Sequence, residues 1–212
     1  MACGNIYCQM LNNDKENIYF ALDFETGGRS PETHSIVEFG IAIIKDFKVI
    51  DSVGSLVRPY SEIDPKFLEY SGIKQSDLND CGFTIQDMVT TIVELCDGFN
   101  PTHNKYKRPY LVGHNIYGFD LKWLAYAFKL CNLDWENYFG YIIYDTLPLS
   151  AMIFYDNIKI KDKKLGTICR YVGVELLNAH SAEDDAIMVG NLFIKCLKFY
   201  SKKFDKTEFN NL

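Results

Sequence analysis

IYFALDFET, residues 18–26, sets how the rest of the chain is read. Alternation puts Tyr19, Ala21, Asp23 and Glu25 on one face and Ile18, Phe20, Leu22 and Phe24 on the other. Both faces begin apolar, as in a central strand covered by helices on either side. The strand then ends in two carboxylates that share a face. Such neighbours repel one another unless cations intervene. The plainer alternative is a strand that emerges into solvent at that point.

Beyond this segment, two more strand-like runs follow at 36–45 and 49–58, joined by the turn-like Lys45-Asp46-Phe47-Lys48, so the chain opens as a meander. Residues 61–80 read as loop and short helix, with Pro65 suited to a first helical turn. Helices are expected at 84–98, 119–131, 146–154, 165–172 and 182–199, with short strands at 110–113 and 141–144. Strands in a meander, then alternating with helices, give an α/β domain with a mixed sheet. The expected organisation is a polar arm over 1–17, one domain over 18–198 and a charged tail over 199–212. No internal repeat or second core is visible.

A chain of 212 residues suits one domain, and 48% hydrophobic with 24% charged residues describes a globular protein. The net charge of −6 argues against a simple electrostatic clamp on nucleic acid, which should be basic. An acidic pocket that binds divalent cations can still handle phosphates, because the cations reverse the local field. The 15% aromatic share is mostly core material, with base stacking as a secondary use. Cysteines at 3, 8, 81, 96, 131, 169 and 196 are scattered and form no CxxC pair. That pattern disfavours a zinc ribbon and points to a reducing compartment, the cytosol or one continuous with it. No apolar run is long enough to span a bilayer, so no membrane partner is expected.

Two helices carry further acids. From Asp120, positions 124, 128 and 131 are Leu, Phe and Cys, so Asp120 shares the apolar stripe. By itself it reads as an N-cap, or as an acid favoured by the helix dipole. Ser181 and Asp184 fit a capping box that starts the last helix. Asp185 therefore has no capping role, yet Val189, Leu192, Phe193 and Cys196 share its face. His180 lies just ahead of it and suits a base role. Asp145 reads as a helix N-cap, and Glu38 as a strand-end or supporting acid. The lysines at 159, 161, 163 and 164, and the loop of Lys105, Lys107 and Arg108, are candidates for steering phosphates, although a charge run is more often a solvated face.

DFETGG at 23–28, GHNIYGFD at 113–120 and HSAEDDA at 180–186 resemble the three motifs of the DEDDh (DnaQ-like) 3′–5′ exonucleases. That family includes polymerase proofreading subunits, RNase T and oligoribonuclease. Order and spacing match as well, and the likeness extends over residues 18–198, far beyond a chance motif hit. The resemblance implies an RNase H-like fold with a five-stranded mixed sheet. It assigns Asp23, Glu25, Asp120 and Asp185 to two Mg²⁺ or Mn²⁺ ions, with Asp23 bridging, and His180 to the general base. Thr26, Gly27, Ile73, His114 and Asn115 become candidates for holding the 3′-terminal nucleotide. Many members have Thr where this chain has Gly27, and His where it has Ser71. The expected partner is nucleic acid with a free 3′ end, DNA ahead of RNA. Docking to a polymerase or repair protein and the oligomeric state stay open. A catalytically silent binding module is the rival of another class, and it has no use for clustered acids that repel phosphate. A structural calcium site fails because no run of spaced Asp and Asn forms an EF-hand loop.

Overall fold

The computed structural model describes residues 17–154, 160–178 and 181–203. Expectations for residues 1–16, Lys159, His180 and 204–212 lie outside the described residues.

Five strands make one mixed sheet. β1 (Tyr19–Thr26), β2 (Ile36–Lys45) and β3 (Lys48–Leu56) form the antiparallel meander, and β4 (Tyr110–Gly113) and β5 (Ile143–Asp145) add in parallel beside β1. The order across the sheet is β3-β2-β1-β4-β5, with β1 central. The β2–β3 turn places Asp46 and Phe47 at φ 50° and 58°, the paired left-handed conformation of a tight hairpin. Seven α-helices complete the described domain: α1 (Pro65–Ser71), α2 (Gln75–Cys81), α3 (Ile85–Phe99), α4 (Asp120–Leu130), α5 (Thr146–Ile153), α6 (Leu165–Val172) and α7 (Ala182–Lys203). Local chemistry explains several starts. Asp64 accepts from the Lys66 N–H ahead of Pro65, and Thr84 and Asp87 make a reciprocal capping box. The last helix continues to Lys203, past its expected end at 199.

The alternation of β1 is realised on both sides. Phe20, Leu22 and Phe24 join Met88 and Ile92 of α3 and Trp123 and Phe128 of α4 in one core. Tyr19 and Ala21 face Ala186, Val189 and Phe193 of α7 in another. A third cluster links α6 to α7 through Ile168, Cys169, Leu192 and Cys196. No described helix is long and apolar enough to cross a membrane. Asp23 and Glu25 therefore sit where β1 leaves the α7-side core, at the carboxyl ends of the parallel strands, the usual place for a site in such sheets.

Candidate active site

Asp23 and Glu25 project from the α7 face of β1, opposite Gly40 and Glu38 of β2. A shift of register after Glu25 brings Thr26 opposite Ile36. Asp185, in the first turn of α7, completes a group of three carboxylates whose oxygens lie within 4.8 Å of one another.

That proximity requires α7 to come unusually close to the sheet. A Cβ on Gly40 would collide with the Ala182 carbonyl, and one on Gly54 would stand 2.6 Å from the Glu183 Cβ. Both positions need glycine because a helix turn occupies the space. Polar contacts fix the seat. Ser52 donates to Glu183 (2.5 Å), and Glu38 accepts from the Ser181 hydroxyl (3.4 Å) and the Ala182 N–H. Glu38 thus caps α7, whereas the expected Ser181–Asp184 box is replaced: Asp184 accepts from the Asn178 backbone and side chain instead. A cap from across the sheet, 143 residues away in the chain, leaves no local sequence signal.

Asp120 arrives by another route. After β4 the chain turns at Asn115, held at φ 67°, and its carbonyl accepts from the N–H groups of Gly118 and Phe119. Asn tolerates this left-handed conformation better than most residues. Buried Ile116 anchors the turn, and the Asn115 N–H donates to Asp145 at 2.8 Å; Asp145 also caps α5 through Leu147, as expected. Asp120 is then the first residue of α4 and not its N-cap: no side chain caps this helix, and Asp120 Oδ1 accepts from the Phe24 N–H of β1 at 3.2 Å. Only 3% of Asp120 is exposed.

The four carboxylates open on a cleft of about 540 Å³ that Phe119, Leu147, Lys163, Lys164 and Leu165 also line. Burial raises the Asp23 carboxyl well above its usual range, and Asp120, Asp185, Glu25 and Glu38 add to the effect. Burial, then Asp185, Glu38 and Asp120, raise Glu25 to about 7. Asp120 is also raised to about 7, chiefly by burial, against the lowering effect of its Phe24 hydrogen bond. Among the described residues no ion pair relieves Asp23, Glu25 or Asp120. Hard oxygen donors this close, mutually raised and unrelieved by an ion pair, fit a divalent metal ion.

The candidate nucleotide contacts fare unevenly. Asn115 is exposed and His114 half-buried, and both line the cleft. His114, however, has both ring nitrogens engaged, by the Thr146 hydroxyl (2.9 Å) and the Lys163 carbonyl (2.7 Å). It ties the lysine loop to the end of β4. Thr26 is 4% exposed and donates to the Gly28 carbonyl, and the Gly27 N–H is already given to Ser35 at 2.7 Å. The Gly27 N–H is therefore taken up inside the protein. A Cβ on Gly27 would lie 3.0 Å from the Ile63 side chain, so a Thr there would press on that side chain. Neither Thr26, Gly27 nor Ile73 lines the cleft. Phe119, inside the second motif, and Leu147 also line the cleft, and no chemistry in their residue types marks them. Arg108 of the second basic loop donates to the Glu136 carbonyl and serves structure.

Comparison with known proteins agrees with the geometry. The exonuclease family named for RNase T matches residues 20–193. DNA polymerase III PolC-type of Caldanaerobacter subterraneus subsp. tengcongensis is 30% identical over 183 residues, covering 86% of this chain and 12% of that protein. The 3′-5′ exonuclease DinG of Staphylococcus aureus is 27% identical over 184 residues, 87% of this chain and 18% of its own length. The chain thus spans under a fifth of these curated relatives. Among solved structures, E. coli exonuclease I with a dT13 oligonucleotide superposes with a TM-score of 0.69 at 16% identity, over 92% of this chain and 43% of that one. The nuclease domain of 3′hExo, a DEDDh family member bound to rAMP, superposes with a TM-score of 0.67 at 17% identity, over 86% of this chain and 92% of that one. With the fold, the acids and the family match in agreement, the chain belongs to the RNase T exonuclease family, of the DEDDh type that its three motifs resemble.

Proposed function

We propose that this chain hydrolyses nucleic acid from the 3′ end, releasing nucleoside 5′-monophosphates, with two Mg²⁺ or Mn²⁺ ions held by Asp23, Glu25, Asp120 and Asp185. The observation that carries this reading is the convergence of acids from β1, α4 and α7 on one cleft with raised carboxyls. Bound there, such ions supply the charge that activates a water and stabilises a leaving 3′-oxygen. The chain's own groups do the rest. Asp120 is oriented by the Phe24 N–H, Asp185 by the seat of α7, and Lys163 and Lys164 face the phosphates across the cleft. His180, five positions ahead of Asp185, takes the water's proton, worth on the order of 10²–10⁴-fold.

DNA is the favoured polymer, supported by a relative named as a DNA polymerase. RNA is the second reading, supported by the neighbour bound to rAMP. We also place the chain in a reducing compartment, on its scattered cysteines without a CxxC pair and the free thiols of Cys96, Cys131, Cys169 and Cys196. The test is digestion of 5′-labelled single-stranded DNA, duplex DNA and RNA with Mg²⁺ or Mn²⁺, with Asp23→Ala as control. A one-nucleotide ladder that the variant loses supports the proposal. Cleavage that survives in the variant, or no cleavage of any polymer, overturns it.

A further inference from the structure

Next to the acidic cleft lies a second groove of about 370 Å³ with the opposite charge. One wall is the outer face of α4, where Lys122, Ala125, Tyr126 and Lys129 recur at the spacing of a single helical stripe. The other wall is the segment just after β1, with Arg29, Ser30 and Glu32. Three cations in one groove stand out in a chain of net charge −6. The fold uses little of this charge. Lys122 donates to the Arg29 carbonyl at 2.9 Å, which joins the two walls, while Arg29, Lys122 and Lys129 are all exposed. Glu32 is the acid of the groove: hydrogen bonds from Ser30 and from its own backbone N–H, then the charges of Lys122 and Lys129, lower its carboxyl.

The two concavities share a rim. Phe119 lines the acidic cleft, and the Lys122 ammonium, which lines the basic groove, stands 5.2 Å from its ring centroid. Lys122 also acts on the Asp120 carboxyl. A strand whose end sits among the acids and which leaves over Phe119 enters the groove directly. Lys122 and Lys129 lie two helical turns apart, about 10 Å along the axis, so they serve successive phosphates and not one. Tyr126 between them offers a ring face for a base.

We propose that the groove of Arg29, Lys122, Tyr126 and Lys129 binds the sugar-phosphate backbone of the strand 5′ to the scissile bond, so that length of strand contributes to substrate affinity. The inference rests on the exonuclease reading, which puts the 3′ end in the acidic cleft. An acidic peptide of a protein partner would use the same charges, but the shared rim with the cleft favours the strand.

The test compares the wild type with the Arg29→Glu/Lys129→Glu double variant, leaving Lys122 in place because it acts on Asp120. On a strand of roughly ten nucleotides, the variant's kcat/KM falls about tenfold, the loss expected from two charge reversals at a groove rim. Cleavage of a dinucleotide, too short to reach the groove, stays unchanged. The salt dependence of strand cleavage flattens by about 0.7 in log–log slope for each phosphate no longer neutralised. Equal losses on both substrates, or no loss on either, overturn the proposal, the latter directing attention to a peptide. If the wild type cleaves neither substrate, fluorescence anisotropy of the labelled strand in Ca²⁺ decides the matter. Weaker binding by the variant then keeps the groove while the exonuclease reading fails, and equal binding sinks the groove.

Discussion

α4 and α7 each present an acid to the same cleft from the first turn of a helix, yet they are seated by opposite means. α4 is tied by polar contact: Asp120 itself accepts from the backbone of β1, and the turn before it is closed by backbone hydrogen bonds to Asn115. α7 is seated by shape. Its first turn presses on Gly40 and Gly54, and Glu38, not its own Ser181 and Asp184, satisfies its start. In one case the functional group is its own anchor. In the other the anchor is a gap in the sheet, and capping falls to Glu38 instead of Ser181 and Asp184. An inward acid at a helix start is therefore not explained by its position in the helix; what matters is what the neighbouring strand offers it.

The largest expected effect treats both acids alike. Asp120→Asn and Asp185→Asn should each lower turnover by about 10³-fold, since either removes a negative ligand from a site that depends on metal charge. Circular dichroism should show both folded, because the amide oxygen introduced by Asp120→Asn still accepts from the Phe24 N–H. A variant that retains more than about a tenth of wild-type turnover, one power of ten in place of three, would remove that acid from the ligand set. The next effect separates the two seats. Gly40→Ala drives a Cβ into backbone and should cost about 3 kcal/mol in urea unfolding. Gly118→Ala, before α4, meets the end of the Asn115 side chain, which can move, and should cost about 1 kcal/mol. Equal costs would mean that α7 is not seated by shape.

Titration tests the cleft that the two helices share. Glu25 and Asp120 are raised to about 7 in the fold. The folded state then holds protons that the unfolded chain releases near pH 4. Metal-free stability should be full below about pH 4 and fall as pH rises to about 7, by about 3 kcal/mol or more for each group. Saturating Mg²⁺ or Mn²⁺ should remove most of the fall, because cations stabilise the ionised forms. Unfolding midpoints in chelator across that range measure it, and a flat profile would contradict the raised carboxyls. The smallest effect concerns Gly27→Thr, which crowds Ile63 and should cost about 1 kcal/mol, with Ile63→Ala in the same chain recovering part of it.

Much of this is legible in the chain itself. The alternation of β1 names its two covered faces and its two misplaced acids, the helix phase singles out Asp185, and motif order joins β1, α4 and α7 into one site. These signals are periodic and local, so a sequence carries them in plain form. Local reading goes astray where polar groups choose partners. Asp120 reads as a cap and instead accepts from the backbone of β1; Ser181 and Asp184 read as a box and bond elsewhere; His114 reads as available and holds the lysine loop. Hydrogen bonds between residues far apart in the chain have no period, and a buried donor takes whichever acceptor the packing supplies. Residue order alone was enough to specify the sheet, its central strand and the acids at its end. That Glu38 caps α7, that Gly40 and Gly54 let that helix approach, and that a basic groove borders the cleft all follow from the three-dimensional packing, because each depends on which surfaces the folded chain brings within reach.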